Sequence, residues 1–394
     1  MSERPTTITV SRVWDGEALC DADAVRIENG RIAAVGDARE LSKGAVAVHC
    51  PGATALPGLI DAHVHLELNP DNHKPPESTS PDEVPRMLER AAAMVRAGIT
   101  TARDLGGGAW LELGIRDKTA AGQAIGPRLL CSGQPITCPG GHCHFWGGEA
   151  GSAEEALSVL ERQVTQGVDL IKVMATGGRM TNGSDPLAAQ FDLETLSEIT
   201  AAARAHGLPV AAHCHGTTGI ELAARAGVST IEHCSWAGAE GWASDFQEPV
   251  ANVILERGVW VSPTVNRGWQ RMLDSREGRV LGRVRAAYRA MLELGIPFIA
   301  STDAGIPGVF HHHLPLALKV FALIAELSPQ AALRTATSSA ARALGVHGMT
   351  GRLVPGLAAD ILVVDGNPLD DLDALANPVG VWARGRRVVD PHGA

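Results

Sequence analysis

The chain has 394 residues, 45% of them hydrophobic and 20% charged, with a formal net charge of −10, enough to bury a large core as one big domain with a smaller one beside it. The acidic balance and the lack of a basic patch argue against binding a phosphate backbone, so no nucleic-acid partner is expected. The start Met1-Ser2-Glu3-Arg4-Pro5 has no apolar signal region and no run nears ~20 apolar residues, so a cytoplasmic protein without a membrane partner is expected.

Residues 1 to 56 read as short β-strands at 7–10, 24–27, 31–35 and 45–48, with Asn29-Gly30 as a hairpin turn. Short apolar runs follow at 57–63, 99–104, 128–132, 169–174, 208–212, 228–232, 259–262 and 297–301. Helical stretches lie between them, among them 83–97, 154–166, 192–206, 217–226 and 277–294. Such alternation is the pattern of a parallel βα array, and eight units suggest a closed barrel. An open doubly wound sheet is the alternative. It loses ground because no Gly-x-Gly-x-x-Gly follows the first strand and no phosphate loop is present. Strand-like runs return at 360–365 and 380–389. The expected fold is α/β: a TIM-like (β/α)8 barrel over 57–353, with a small β-sandwich domain built from 1–56 plus 354–394.

Chemistry-bearing residues fall at the ends of these runs. His63 and His65 end the run 55–62, and residues two apart on a strand face the same side. Taken alone, the pair could simply close a strand. Further on, the fourth run carries Lys172, the fifth His213 and His215, the sixth His233 and the eighth Asp303. Strand ends are where a βα-barrel keeps its functional groups. Imidazoles with a carboxylate suit a two-metal site for Zn²⁺ or a similar ion. Lys172, one of only five lysines, is the odd member. Burial lowers a lysine pKa, and the neutral amine can react with carbon dioxide to give an anionic carbamate ligand. Equally open is a core lysine paired with Asp169 or Glu232. Seven cysteines form no Cys-x-x-Cys and read as free thiols in a reducing compartment.

The motifs Leu56-Pro57-Gly58-Leu59-Ile60-Asp61-Ala62-His63-Val64-His65, Ile171-Lys172-Val173-Met174-Ala175-Thr176-Gly177-Gly178, Ala212-His213-Cys214-His215-Gly216, Ser229-Thr230-Ile231-Glu232-His233 and Ser301-Thr302-Asp303-Ala304-Gly305, with the tail 356–368, resemble the amidohydrolase superfamily. Within it, the chain is most similar to the imidazolonepropionase-like, prolidase-type branch. The resemblance covers nearly the whole chain. It implies two divalent metal ions, with Zn²⁺ expected. His63, His65 and Asp303 would hold one, His213 and His233 the other, with carboxylated Lys172 and a hydroxide bridging them. Relatives often carry a tyrosine where this chain has His215; that tyrosine hydrogen-bonds the tetrahedral intermediate, and the histidine is a departure. The family's Gly-Gly-His falls on Gly140-Gly141-His142, so His142 would polarise the scissile carbonyl. A zinc knuckle of Cys138, His142, Cys143 and His144 is a crowded alternative.

The resemblance implies metal-dependent hydrolysis of an amide or peptide bond, with Asp303 moving the proton from water to the leaving amine. The substrate would be a dipeptide, an N-acyl amino acid or a C-terminal follower segment of a modified peptide. A lactone, cyclic imide or amidine on the same site, and a non-catalytic metal-binding protein, are the other readings. A Cys143 nucleophile would lack a third supporting residue. Arg179 and Arg267 are candidates to grip a substrate carboxylate, although either could be a solvated surface arginine. His144 and Trp146 join them as substrate contacts. Trp110, Trp236, Trp242 and Trp269 also fall near the presumed active face. The run His311-His312-His313 could face the substrate or start a helix. A homo-oligomer is left open.

Overall fold

The computed structural model describes residues 4–72, 80–275 and 278–390. Strands from both ends of the chain meet in one eight-stranded sheet. Thr6–Trp14 pairs in parallel with Val46–Pro57, which pairs antiparallel with Ile361–Val364 from the far end of the sequence. Asn29 and Gly30 both take positive φ, 51° and 76°, as a tight hairpin turn between Ala24–Glu28 and Arg31–Gly36 requires. The run 380–389 is itself divided by such a turn. Arg384 and Gly385, at φ 51° and 79°, join Pro378–Ala383 to Arg386–Val389. The expected small β domain from both chain ends is joined here in one hydrogen-bonded sheet, with its own apolar cluster around Ile8, Val25, Ile361 and Trp382. The last four residues of the expected 354–394 segment lie outside the described residues.

Val46–Pro57 hands the chain directly to Leu59–Val64 across Gly58. A Cβ at Gly58 would sit 2.1 Å from Thr100 Oγ1, so only glycine lets the chain pass there. Leu59–Val64, Ile99–Asp104 and Arg128–Cys131 form a three-stranded parallel sheet. Ile171–Met174, Val210–Gly216, Thr230–Ala237 and Trp260–Ser262 form a four-stranded one. Every residue of Leu59–Val64, Ile99–Asp104, Ile171–Met174 and Val210–Gly216 is buried, as expected of parallel strands covered on both faces. The eighth run, 297–301, is no regular strand. It contributes a parallel bridge from Phe298 to Val261, and further single bridges join Ile136 to Val173 and Val64 to Ala304.

The linking helices form where an apolar stripe recurs. Val84–Arg96, Ala153–Gln166, Leu193–Ala205, Thr217–Ala226 and Arg279–Glu293 match the expected stretches to within a residue or two; Glu277, in the last of these, lies outside the described residues. Ser152 Oγ and Asp192 Oδ1 cap two of them by accepting from backbone N–H groups three residues on. Among the described residues, no helix is long and apolar enough to cross a membrane.

Candidate metal centre

Two groups of side chains converge where the parallel strands end. One donor atom each from His63, His65 and Asp303 lies within 4.8 Å of the others, and the same holds for His213, His215 and His233. In the first group, Asp303 Oδ1 is 3.3 Å from His63 Nε2 and 3.4 Å from His65 Nε2. In the second, ring centroids lie 4.5 to 4.7 Å apart. The groups adjoin, since the His63 and His233 rings are 5.2 Å apart. Asp303 and His233 sit at positive φ, 60° and 66°, a conformation that L-residues hold only when their surroundings enforce it.

Each ring is oriented through its other nitrogen. His63 Nδ1 pairs with Glu232 Oε2 at 3.0 Å, and His65 Nδ1 donates to the Gly106 carbonyl at 3.2 Å. His213 Nε2 donates to the Gly177 carbonyl at 3.1 Å. His215 Nδ1 and His233 Nδ1 meet Ser235 Oγ and Thr264 Oγ1 at 2.9 and 2.8 Å. Oxygen partners of this kind fix tautomer and direction in metal-ligating histidines. Burial lowers the pKa of His63 to about 4 and that of His215 to about 3, and pushes His213 and His233 well below the usual range, so the rings stay neutral. Asp303 goes the other way. Burial alone would raise its pKa, but His63, His65 and His233 hold it well below the carboxylate range.

Lys172 lines the same cavity, 1% exposed, and its Nζ has no hydrogen-bond partner among the described residues. The carboxylates that could have neutralised it are engaged elsewhere. Asp169 accepts from Arg116 at 2.9 Å and from Cys131 N at 2.8 Å. Glu232 accepts from Arg103 at 2.7 Å besides contacting His63. Burial lowers the Lys172 pKa. An orphaned buried amine beside five imidazoles and a carboxylate is a donor set that fits two divalent ions.

His142 is also buried and lines the cavity. Its Nδ1 is unpartnered among the described residues, and burial lowers its pKa to about 4. Gln190 Oε1 holds its loop by accepting from His142 N at 2.8 Å. A Cβ on Gly178 would come within 2.5 Å of the His142 ring. Among the described residues no metal-holding group includes Cys138, Cys143 or His144, so the knuckle is not formed. Burial pushes the Cys143 thiol up, which removes the thiolate nucleophile.

The residues of both groups border a cavity of about 390 Å³ lined also with Met174, Met180, Met272, Trp146, Trp242 and Trp269. Arg179 is there, its guanidinium 4.6 Å over the Trp242 ring. Arg267 and His144 are not. Arg267 is exposed, and Arg271, one helical turn on, lines the cavity in its place. His144 Nδ1 turns back to the Gly141 carbonyl. Trp110 and Trp236 are packing residues, the one donating to Gln163 Oε1 and the other against Phe246. His311–His313 lead into the helix Leu314–Ala325, and His311 Nε2 donates to the His65 carbonyl at 2.9 Å. Sequence reasoning missed Arg103 and Arg271, and saw Glu232 only as a partner for Lys172. A charged pair within otherwise apolar buried strands was the available signal for the Arg103–Glu232 contact.

A model of the amidohydrolase family matches residues 54–388. The chain belongs to that family. The amidohydrolase is 27% identical to an ochratoxinase of Aspergillus niger, over 96% of this chain and 85% of that one. It is 26% identical to an imidazolonepropionase of Rubrobacter xylanophilus, over 88% and 85%. Among solved structures, a prolidase complexed with N-methylphosphonate-L-proline matches with a TM-score of 0.83 at 27% identity, over 98% of this chain and all of that one. As a family member, this amidohydrolase is a hydrolase of carbon–nitrogen bonds.

Proposed function

We propose that this enzyme cleaves the amide bond of an N-acyl amino acid, a dipeptide or the C-terminal segment of a modified peptide, using two divalent metals, with Zn²⁺ expected. The observation that carries this reading is the pair of ligand groups flanking an unpaired buried lysine on the floor of an apolar cavity. His63, His65 and Asp303 would hold one ion, His213 and His233 the other, with carboxylated Lys172 between them. When bound, such a pair lowers the pKa of water toward neutrality and polarises a carbonyl. Asp303, kept ionised by its imidazole neighbours, takes the proton from the attacking water and passes it to the leaving amine. His142, neutral and free at Nδ1, donates a hydrogen bond to the carbonyl oxygen as negative charge builds there. Arg179 pairs with a substrate carboxylate, while the tryptophans and methionines exclude water from the acyl side.

The single bridges at Phe298, Ile136 and Val64 support closure of the parallel strands into a (β/α)8 barrel over 57–353. Residues 1–56 and 354–394 would form the β domain beside it. Similarity to an ochratoxinase and to a prolidase bound to a phosphonate of proline supports an amide over a lactone.

Metal analysis and a panel of N-acyl amino acids, dipeptides, lactones and amidines test the reading. About two equivalents of metal per chain and amide turnover are expected. Turnover confined to lactones or amidines overturns the substrate assignment, and a metal-free active enzyme overturns the whole.

A further inference from the structure

The resemblance casts the residue at His215 as a hydrogen-bond partner of the substrate. Its surroundings fit a different task. The ring is 7% exposed, and its Nδ1 is taken by Ser235 Oγ at 2.9 Å. What remains is directed inward, with its ring 4.5 Å from that of His213 and 4.7 Å from that of His233. The other two rings are tied in the same way, His213 to Gly177 O and His233 to Thr264 Oγ1. A donor nitrogen from each of the three lies within 4.8 Å of the others. Three buried imidazoles with one ring nitrogen of each gathered this closely, and each with an oxygen partner on its other nitrogen, are arranged to share a cation. A substrate hydrogen bond would use one of them and leave the convergence of the other two with His215 without purpose.

We infer that His215 is a third imidazole ligand of the second metal, which makes that position a three-histidine site. Three imidazoles are an established Zn²⁺ donor set. Such a site holds its ion even before Lys172 is carboxylated, so occupancy of the second position does not wait on carbon dioxide. Trp242, whose ring is 4.8 Å from that of His215 and which also carries Arg179, backs the ligand from the cavity side. This inference rests on the two-metal reading above.

The test uses the full chain stripped of metal and titrated with Co²⁺ or Zn²⁺ against a chromogenic chelator. With His215→Asn, the second equivalent is expected to bind at least about 100-fold more weakly, while the first is unchanged; Ser235→Ala is expected to weaken the second equivalent by about 10-fold. Proton NMR of the Co²⁺-loaded wild type avoids reliance on a variant that fails to fold. Shifted, solvent-exchangeable ring N–H signals are expected from His63, His65, His213, His215 and His233. Absence of the His215 signal, or a His215→Asn variant that binds both equivalents with wild-type affinity, overturns the inference and leaves the two-metal reading standing. A wild type that binds no second equivalent overturns both.

Discussion

Replacing Glu232 with glutamine probes how far the site depends on charge outside its ligands. Glu232 is fully buried between Arg103 and His63. Burial alone would raise its pKa, but Arg103 and His63 hold it well below the carboxylate range. Loss of its charge leaves Arg103 buried and uncompensated, at a cost of about 3 kcal/mol. It also frees the His63 ring, and metal affinity at the first position is expected to fall about 10-fold or more; chelator competition reads the second effect and urea melts the first. Lys172→Ala is expected to lower kcat/KM by about 100-fold or more, measured with and without added bicarbonate. Unchanged activity and metal affinity exclude carboxylation. Glu112 gives a pH effect of its own. Burial pushes its carboxyl up to about 7. The native state therefore keeps a proton that the unfolded chain releases near pH 4.5, and the stability it contributes is lost as pH rises from there through 7. Glu112→Gln should accordingly gain urea resistance relative to wild type at pH 8 but not at pH 4.

Gly178 shows how an element sets the group proposed to polarise the carbonyl. Its lack of a Cβ leaves room for the His142 ring beside the end of Ile171–Met174. Gly178→Ala is expected to displace His142 and reduce kcat by about 10- to 100-fold, with both metals retained; metal loss along with activity would place Gly178 in the ligand scaffold instead. The same scale explains what could be read from sequence. The clustering of His63, His65, Lys172, His213, His233 and Asp303 was legible because they fall at the ends of predicted strands, where period two fixes which side chains share a face. Arg267 is exposed, in line with the surface-arginine alternative, and Arg271 could not be picked out because the five-residue helix Gln270–Asp274 is too short to show a phase. The eighth run was legible as apolar but not as a bridge, because its pairing is decided by neighbours more than 30 residues away in sequence, such as Val261.

At the scale of the whole molecule, the meeting of the two chain ends was legible from matching strand-like runs. Their order in the sheet was not, since Thr6–Trp14 to Val46–Pro57 is a parallel pairing and Ile361–Val364 joins from over 300 residues away. Main-chain bonds also tie the two regions together. Gly58 N, for example, donates to Asp360 O. The backbone that carries His63 is therefore the continuation of the strand at the centre of the terminal sheet. Its opening motions should be shared: in hydrogen–deuterium exchange, amides of 54–56, 59–64 and 361–364 are expected to gain deuterium at one common rate, set by one cooperative opening. Metal added to the protein should slow all three stretches together if it binds at His63 and His65 as proposed. If 59–64 is protected while 361–364 exchanges as before, the two regions breathe separately. With a common rate, the terminal sheet acts as a clamp whose fluctuations would limit how long the proposed metals stay in place.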